Sequence, residues 1–163
     1  MIKNKRSKPI NKRLAEIEKA RYDRYAQQHF ICDELMKHFI DIEVTRNAMR
    51  RGGVWHAETV FPEKSDLFEI EKVFVNDETE PLFEMESDVT PDRWVVRFHY
   101  CPAVACWQKL GVSEENIRKY CDIGMDGDRG IFSHYPDLEM ELTKKIAWGD
   151  DYCEVIVTRK KNN

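Results

Sequence analysis

The stretch from Trp94 to Trp107 leaves a chain little choice of local structure. Trp94, Val96, Phe98 and Tyr100 alternate along it, the period-2 mark of a half-buried strand. Pro102 then opens a helix, because its missing N–H costs nothing at the first helical position and its φ is already helical. The joint leaves Cys101 at the helix N-cap. A thiol there faces unpaired amide N–H groups and the positive end of the helix dipole, and both favour the thiolate. The competing reading is a buried structural cysteine, a common fate of a free thiol.

At 163 residues, 42% hydrophobic and 34% charged, the chain fits one soluble globular domain with a sizeable core. No apolar run reaches membrane-spanning length and no export signal is visible, so the cytoplasm is the expected location. Five cysteines, an odd number, then argue for free thiols, catalysis or metal rather than a disulfide framework. The net charge of −4 hides an asymmetry, since residues 1–13 hold six bases and no acid and the remainder holds 20 bases against 30 acids. Such an acidic body excludes nucleic acid as the main partner, and the basic start reads as a flexible, solvated tail.

From about Ile10 to about Arg51 strong helix formers run without Pro or Gly, and Gly52-Gly53 supplies a stop. Cys32, Leu35, Phe39 and Ile42 form one apolar stripe on that helix, which makes Cys32 a core residue. His29 and His38 read as ordinary helix residues. Val54 to Pro62 is short and irregular, with a strand as one option, and Asp66 to Val75 fits helix or strand. Phe83 and Met85 alternate with Glu84 and Glu86, and Thr90-Pro91-Asp92 turns that strand into the Trp94 strand as an antiparallel hairpin.

Beyond Pro102 a helix packs with Val104, Trp107 and Leu110 inward, and Ser113 caps a second helix running to about Cys121. Asp122 to Gly130 continues as a bent helix or loop; it superficially suggests a calcium loop, but the spacing of its acids fails. Leu138, Met140, Leu142 and Ile146 face one way along a strand, Gly149-Asp150-Asp151 turns it, and Cys153, Val155 and Val157 line the return. The order gives an α+β fold: a mostly antiparallel sheet covered by helices, with a long N-terminal helix. Residues 1–13 are the tail and 14–163 a single domain, helical over 14–52 and a sheet–helix core over 53–163.

Cys101, Cys121 and Cys153 each sit at the edge of an element, where side chains converge on pockets. Thiolates serve as nucleophiles or soft-metal ligands, although no CxxC pair supports a structural zinc site. Cys106, beside Trp107 and Leu110, reads as packing. Asp122, Asp126, Asp128, Asp150 and Asp151 flank the same edges as candidate bases, or as turn formers and solvated acids. His134 is a candidate acid–base partner of a cysteine.

The C-terminal two-thirds resembles the bacterial L-2-amino-thiazoline-4-carboxylic acid hydrolase family. The resemblance rests on Tyr100-Cys101-Pro102, on Tyr120-Cys121-Asp122 leading into Gly127-Asp128-Arg129-Gly130, and on Lys145-Ile146-Ala147-Trp148-Gly149-Asp150-Asp151-Tyr152-Cys153-Glu154. The last motif is also similar, more distantly, to vinyl-reductase-type small-molecule-binding domains. The family resemblance implies a hydrolase that opens a small cyclic C–N structure, a cyclic amidine carrying sulfur and a carboxylate, to an N-carbamoyl product. In that reading Cys101 is nucleophile or metal ligand, Asp128 or Asp122 the base, and His134 or Asp150 the proton donor. Arg97 or Arg129 binds the substrate carboxylate, and Cys121 and Cys153 support the pocket or complete a zinc site with Cys101. The alternative is a non-catalytic small-molecule-binding or sensor domain. In either case no membrane partner is expected, and the N-terminal helix offers a surface for a homo-oligomer.

Overall fold

The computed structural model describes residues 1–161. Its centre is one four-stranded antiparallel sheet in the order β1-β2-β4-β3, formed by β1 (Met85–Val89), β2 (Arg93–Phe98), β3 (Leu138–Lys144) and β4 (Cys153–Arg159). Trp94, Val96 and Phe98 stand on the same face as Val155 and Val157, and Trp94 is fully buried with its indole N–H donating to Ser87 Oγ at 2.9 Å. That inner face carries the first core, with Leu67 and Ile70 of α3 (Leu67–Phe74), Ala57 of α2 (Val44–Val60), and Ile131 and Phe132 of α7 (Asp126–Ser133). Each fully buried side chain of this size contributes roughly 2 kcal/mol. The fold is α+β, as its sequence pattern predicts.

A second core lies beyond the Phe98 end of the sheet. Here α1 (Lys12–Lys37), α5 (Pro102–Lys109), α6 (Glu114–Gly124) and a 3₁₀ turn at Ile146–Trp148 pack Cys32, Val104, Trp107, Ile117, Tyr120, Ile123 and Ile146 together. Pro102 opens α5 behind Cys101, and the Ser113 hydroxyl caps α6 by accepting from Asn116 N–H. Asp66 caps α3 through the N–H groups of Phe68 and Glu69, which settles that segment as helix.

Several expectations are corrected. The single helix over 10–51 is two, broken at 38–43, where Phe39 adopts φ 56° and Ile40 N–H returns to Leu35 C=O. This is a left-handed helix ending with phenylalanine where glycine is favoured. The apolar stripe stops there: Cys32 is fully buried, and Phe39 is 98% exposed. Gly52-Gly53 does not stop a helix but lies inside α2, which runs on through Val54 to Val60 where a strand was one option. Gly53 is needed for contact, because α2 and α7 cross so closely that any side chain would strike the backbone opposite. Phe83 ends a short helix, α4 (Thr79–Phe83), and β1 begins at Met85 after Glu84 in the left-handed region.

Residues 1–13 do not form a solvated tail. Ile2 is buried in the second core, Asn4 and Arg6 are half-buried, and the chain enters α1 through Asn11, whose side chain caps Leu14 N–H. The reason is alternation: Ile2, Asn4 and Arg6 face the protein, while Lys3 and Lys5 face solvent.

Candidate functional site

Cys101, Cys121 and Cys153 come together where the two cores meet. Cys101 caps α5 at the end of β2, and Cys153 opens β4 directly across from Phe98. Cys121 sits on α6, and all three are partly buried and pack against the same second core. Ile146 N–H donates to Cys153 Sγ at 3.3 Å, tying that sulfur to the 3₁₀ turn. Cys32 is buried on α1 within that second core, and Cys106 is buried on α5.

The thiols are held protonated. Burial raises Cys101 above the ordinary thiol range; the N–H groups of Ala103 and Val104 pull the other way without closing a capping hydrogen bond. Burial likewise takes Cys153 up to about 12 and Cys121 well above normal, and the neighbouring thiols push both further. The N-cap position therefore does not deliver the thiolate that its dipole favours, because the cost of burying a charge outweighs it. Lys145 opposes the rise at Cys121 and Cys153. Its ammonium lies over the Trp148 ring at 4.5 Å, making it the cation beside the thiols. Asp150 accepts from Lys145 N–H at 2.7 Å within the turn, and its charge reaches Cys153.

Other predicted site residues lie apart from the thiols. Arg97 projects from the opposite sheet face and donates from Nε to Glu154 at 2.7 Å. His134 closes α7 with its ring edge-on to Tyr135, at the Leu138–Arg159 end of the sheet, about 20 Å of strand from Cys153. Asp122 accepts from Arg46 at 2.5 Å and from Arg129 at 3.1 Å, so neither Asp122 nor Arg129 is free. Burial pushes Asp122 up, but the two guanidinium groups hold it below the usual carboxylate range. Asp128 starts α7 half-buried, with burial raising its carboxyl to about 6, on a helix that carries none of the three thiols.

Asp126, one flanking acid among several in the sequence, is the centre of a separate network. Its side chain is 1% exposed and accepts from Arg46 and Arg50, both at 2.7 Å, with Arg129 at 3.4 Å. This network fastens α2 to α6 and α7. Asn4 is a single polar residue in a basic run, with no pattern to mark it, and Lys145 opens the third motif without any sign in the sequence that it stands beside the thiols.

Among the described residues no three His, Cys, Asp or Glu side chains are arranged to hold an ion. The three thiols as placed do not fit the expected zinc site. A groove of about 670 Å³ opens beside them, walled by Met36, Phe39, Ile42, Arg118, Asp122 and Trp148, and no cysteine lines it. It shares α6 and the 3₁₀ turn with the thiol cluster. Among the described residues no helix is long and apolar enough to cross a membrane.

These features define an α+β domain with a shielded trio of thiols at one end of its sheet. The chain belongs to the L-2-amino-thiazoline-4-carboxylic acid hydrolase family, whose model matches residues 13–157. No curated protein matches it. The crystal structure of a trafficking protein particle complex subunit 3 from Naegleria fowleri, covalently bound to palmitic acid, is similar in fold. That likeness has a TM-score of 0.55 at 14% identity, over 86% of this chain and 95% of the other.

Proposed function

We propose that the protein hydrolyses a small cyclic amidine bearing a carboxylate, of the 2-amino-thiazoline type, with Cys101 as nucleophile. The convergence of three partly buried thiols, in a chain of this family, is the observation that carries the reading. The Cys101 sulfur gives its proton to a base and bonds to the amidine carbon. The ring carbon–heteroatom bond breaks, and the departing atom takes a proton; in a 2-amino-thiazoline that atom is sulfur. Water then attacks the carbon attached to Cys101, forming the carbonyl and returning the thiol. Asp150 is the carboxylate we assign to the proton transfers, and Lys145 replaces Arg97 and Arg129 as the cation for the substrate carboxylate.

The test is ring opening on a panel of thiazolines and cyclic amidines. Cys101→Ser is expected to lose at least about 10²-fold in kcat, with Cys106→Ser close to wild type. Undiminished turnover by Cys101→Ser overturns the role of the thiol. Binding without turnover by the wild type supports the non-catalytic reading.

The partner we assign is a second copy of the chain, seated at the α1–α2 elbow. Phe30, Ile31, Phe39, Ile40 and Val44 are all exposed there. The groove beside them carries Asp41 and Glu43 on one wall and Arg118 and Lys119 on the other, so a two-fold axis sets opposite charges together.

A further inference from the structure

The first eight residues lie outside the family match, yet they reach the candidate nucleophile. Asn4 makes two hydrogen bonds to the backbone of Cys101. Its Oδ1 accepts from Cys101 N–H at 2.9 Å, and its Nδ2 donates to Cys101 C=O at 2.8 Å. The carboxamide thus pairs with both backbone polar groups of Cys101, the last residue of the 99–101 link between β2 and α5, and the carbonyl also accepts from Ala105 N–H at 3.0 Å.

The segment is fastened on both sides of that contact. On one side Ile2 is 5% exposed in the core the thiols pack against, its N–H donating to Glu114 and its C=O accepting from Gln108. On the other, Arg6 lies over the Tyr100 ring at 3.9 Å and donates to the carbonyls of Pro81 and Leu82, both at 3.0 Å. Next to it the Glu84 carboxylate accepts from Ser7 N–H, Ser7 hydroxyl and Lys8 N–H. Glu84 holds this position from a left-handed backbone, a cost that its three donors offset.

We propose that residues 2–8 are a strap that closes the thiol site, and that Asn4 is a positioning residue holding Cys101 in line with α5. Ile2 of the strap fills the core that the three thiols pack against, and the strap's lysines are exposed to solvent. Substrate enters when the strap lifts; water then reaches Cys101 and its thiolate becomes accessible. Closure over a bound substrate restores the Asn4 contacts and excludes water from the attached carbon. The assignment of Cys101 as the residue being positioned rests on the hydrolase reading; the existence of the strap does not.

The test is site-mapped alkylation of the full chain by iodoacetamide at mildly alkaline pH, followed by mass spectrometry. Asn4→Ala and Glu84→Gln are each expected to speed modification of Cys101 by about tenfold or more and to lower the midpoint of its pH–rate profile toward an ordinary thiol. Cys32 and Cys106, both buried and neither hydrogen-bonded to residues 2–8, keep their wild-type rates and report that the fold is intact. Unchanged Cys101 rates and midpoint in both variants overturn the strap, as does acceleration of Cys32 and Cys106 in step with Cys101. In any ring-opening assay Asn4→Ala lowers kcat more than it raises KM if Asn4 positions Cys101. A rise in KM alone overturns positioning. Absence of turnover bears on the hydrolase reading, while the alkylation rates still decide the strap.

Discussion

Gly53 of α2 and Gly127 of α7 meet with no room for a side chain: a Cβ on Gly53 would collide with the Gly127 carbonyl oxygen. Both partners in that collision are backbone, so neither can rotate away. Gly53→Ala is expected to destabilise the protein by about 3 kcal/mol, read from urea unfolding. Gly52, one residue earlier and open to solvent, is the control. With nothing near its Cβ, Gly52→Ala is expected to stabilise by roughly 1 kcal/mol through helix propensity. Equal effects at the two positions would remove the helix crossing as the cause.

Asp126 is a buried carboxylate held by three guanidinium groups. Burial pushes its carboxyl up, but Arg50, Arg46 and Arg129 prevail and hold it below the ordinary range. A depressed folded-state pKa contributes stability that is present above the unfolded value and lost as pH falls through the folded one. Asp126→Asn is therefore expected to cost about 3 kcal/mol at neutral pH. The gap should narrow progressively as pH falls below the ordinary carboxylate value of about 3.9, in denaturation curves compared between neutral pH and a series of acid pH values.

The thiols give the opposite slope. Burial pushes Cys153 up to about 12 in the folded protein, above the unfolded thiol. Unfolding therefore releases a proton once pH exceeds about 8.5, and stability falls as pH rises from there toward the folded value. Cys153→Ala is expected to flatten that decline, measured as the urea midpoint across alkaline pH.

Phe39 combines an exposed ring with a left-handed backbone and so contributes strain without packing. Phe39→Gly is expected to raise monomer stability by about 1 kcal/mol while weakening self-association. Sedimentation velocity and thermal unfolding read the two effects separately. Association unaffected by the change would take the α1–α2 elbow out of the interface.

Lys145 and Arg97 separate two readings of carboxylate binding. Lys145→Met is expected to raise KM for an anionic substrate, by about tenfold. Arg97→Met, on the far sheet face beside Glu154, is expected to leave turnover unchanged.

Local chemistry was legible along the chain, since it depends on neighbours. The alternation of Trp94, Val96 and Phe98 and the placement of Pro102 define a strand, a helix and Cys101 between them, and the Ser113 cap marks the start of the next helix. The same alternation puts Arg97 on the outer face, opposite to Val96 and Phe98. What only the tertiary structure decided are relations between distant segments. Helix propensity does not reveal that Gly53 serves a helix crossing rather than a stop. A run of bases does not reveal that every second residue faces inward and that Asn4 reaches a peptide 97 positions away. Nor does a dipole argument reveal that burial outweighs it at Cys101. Each depends on which surfaces pack together, and packing energy is a property of the assembled core, not of any window of sequence.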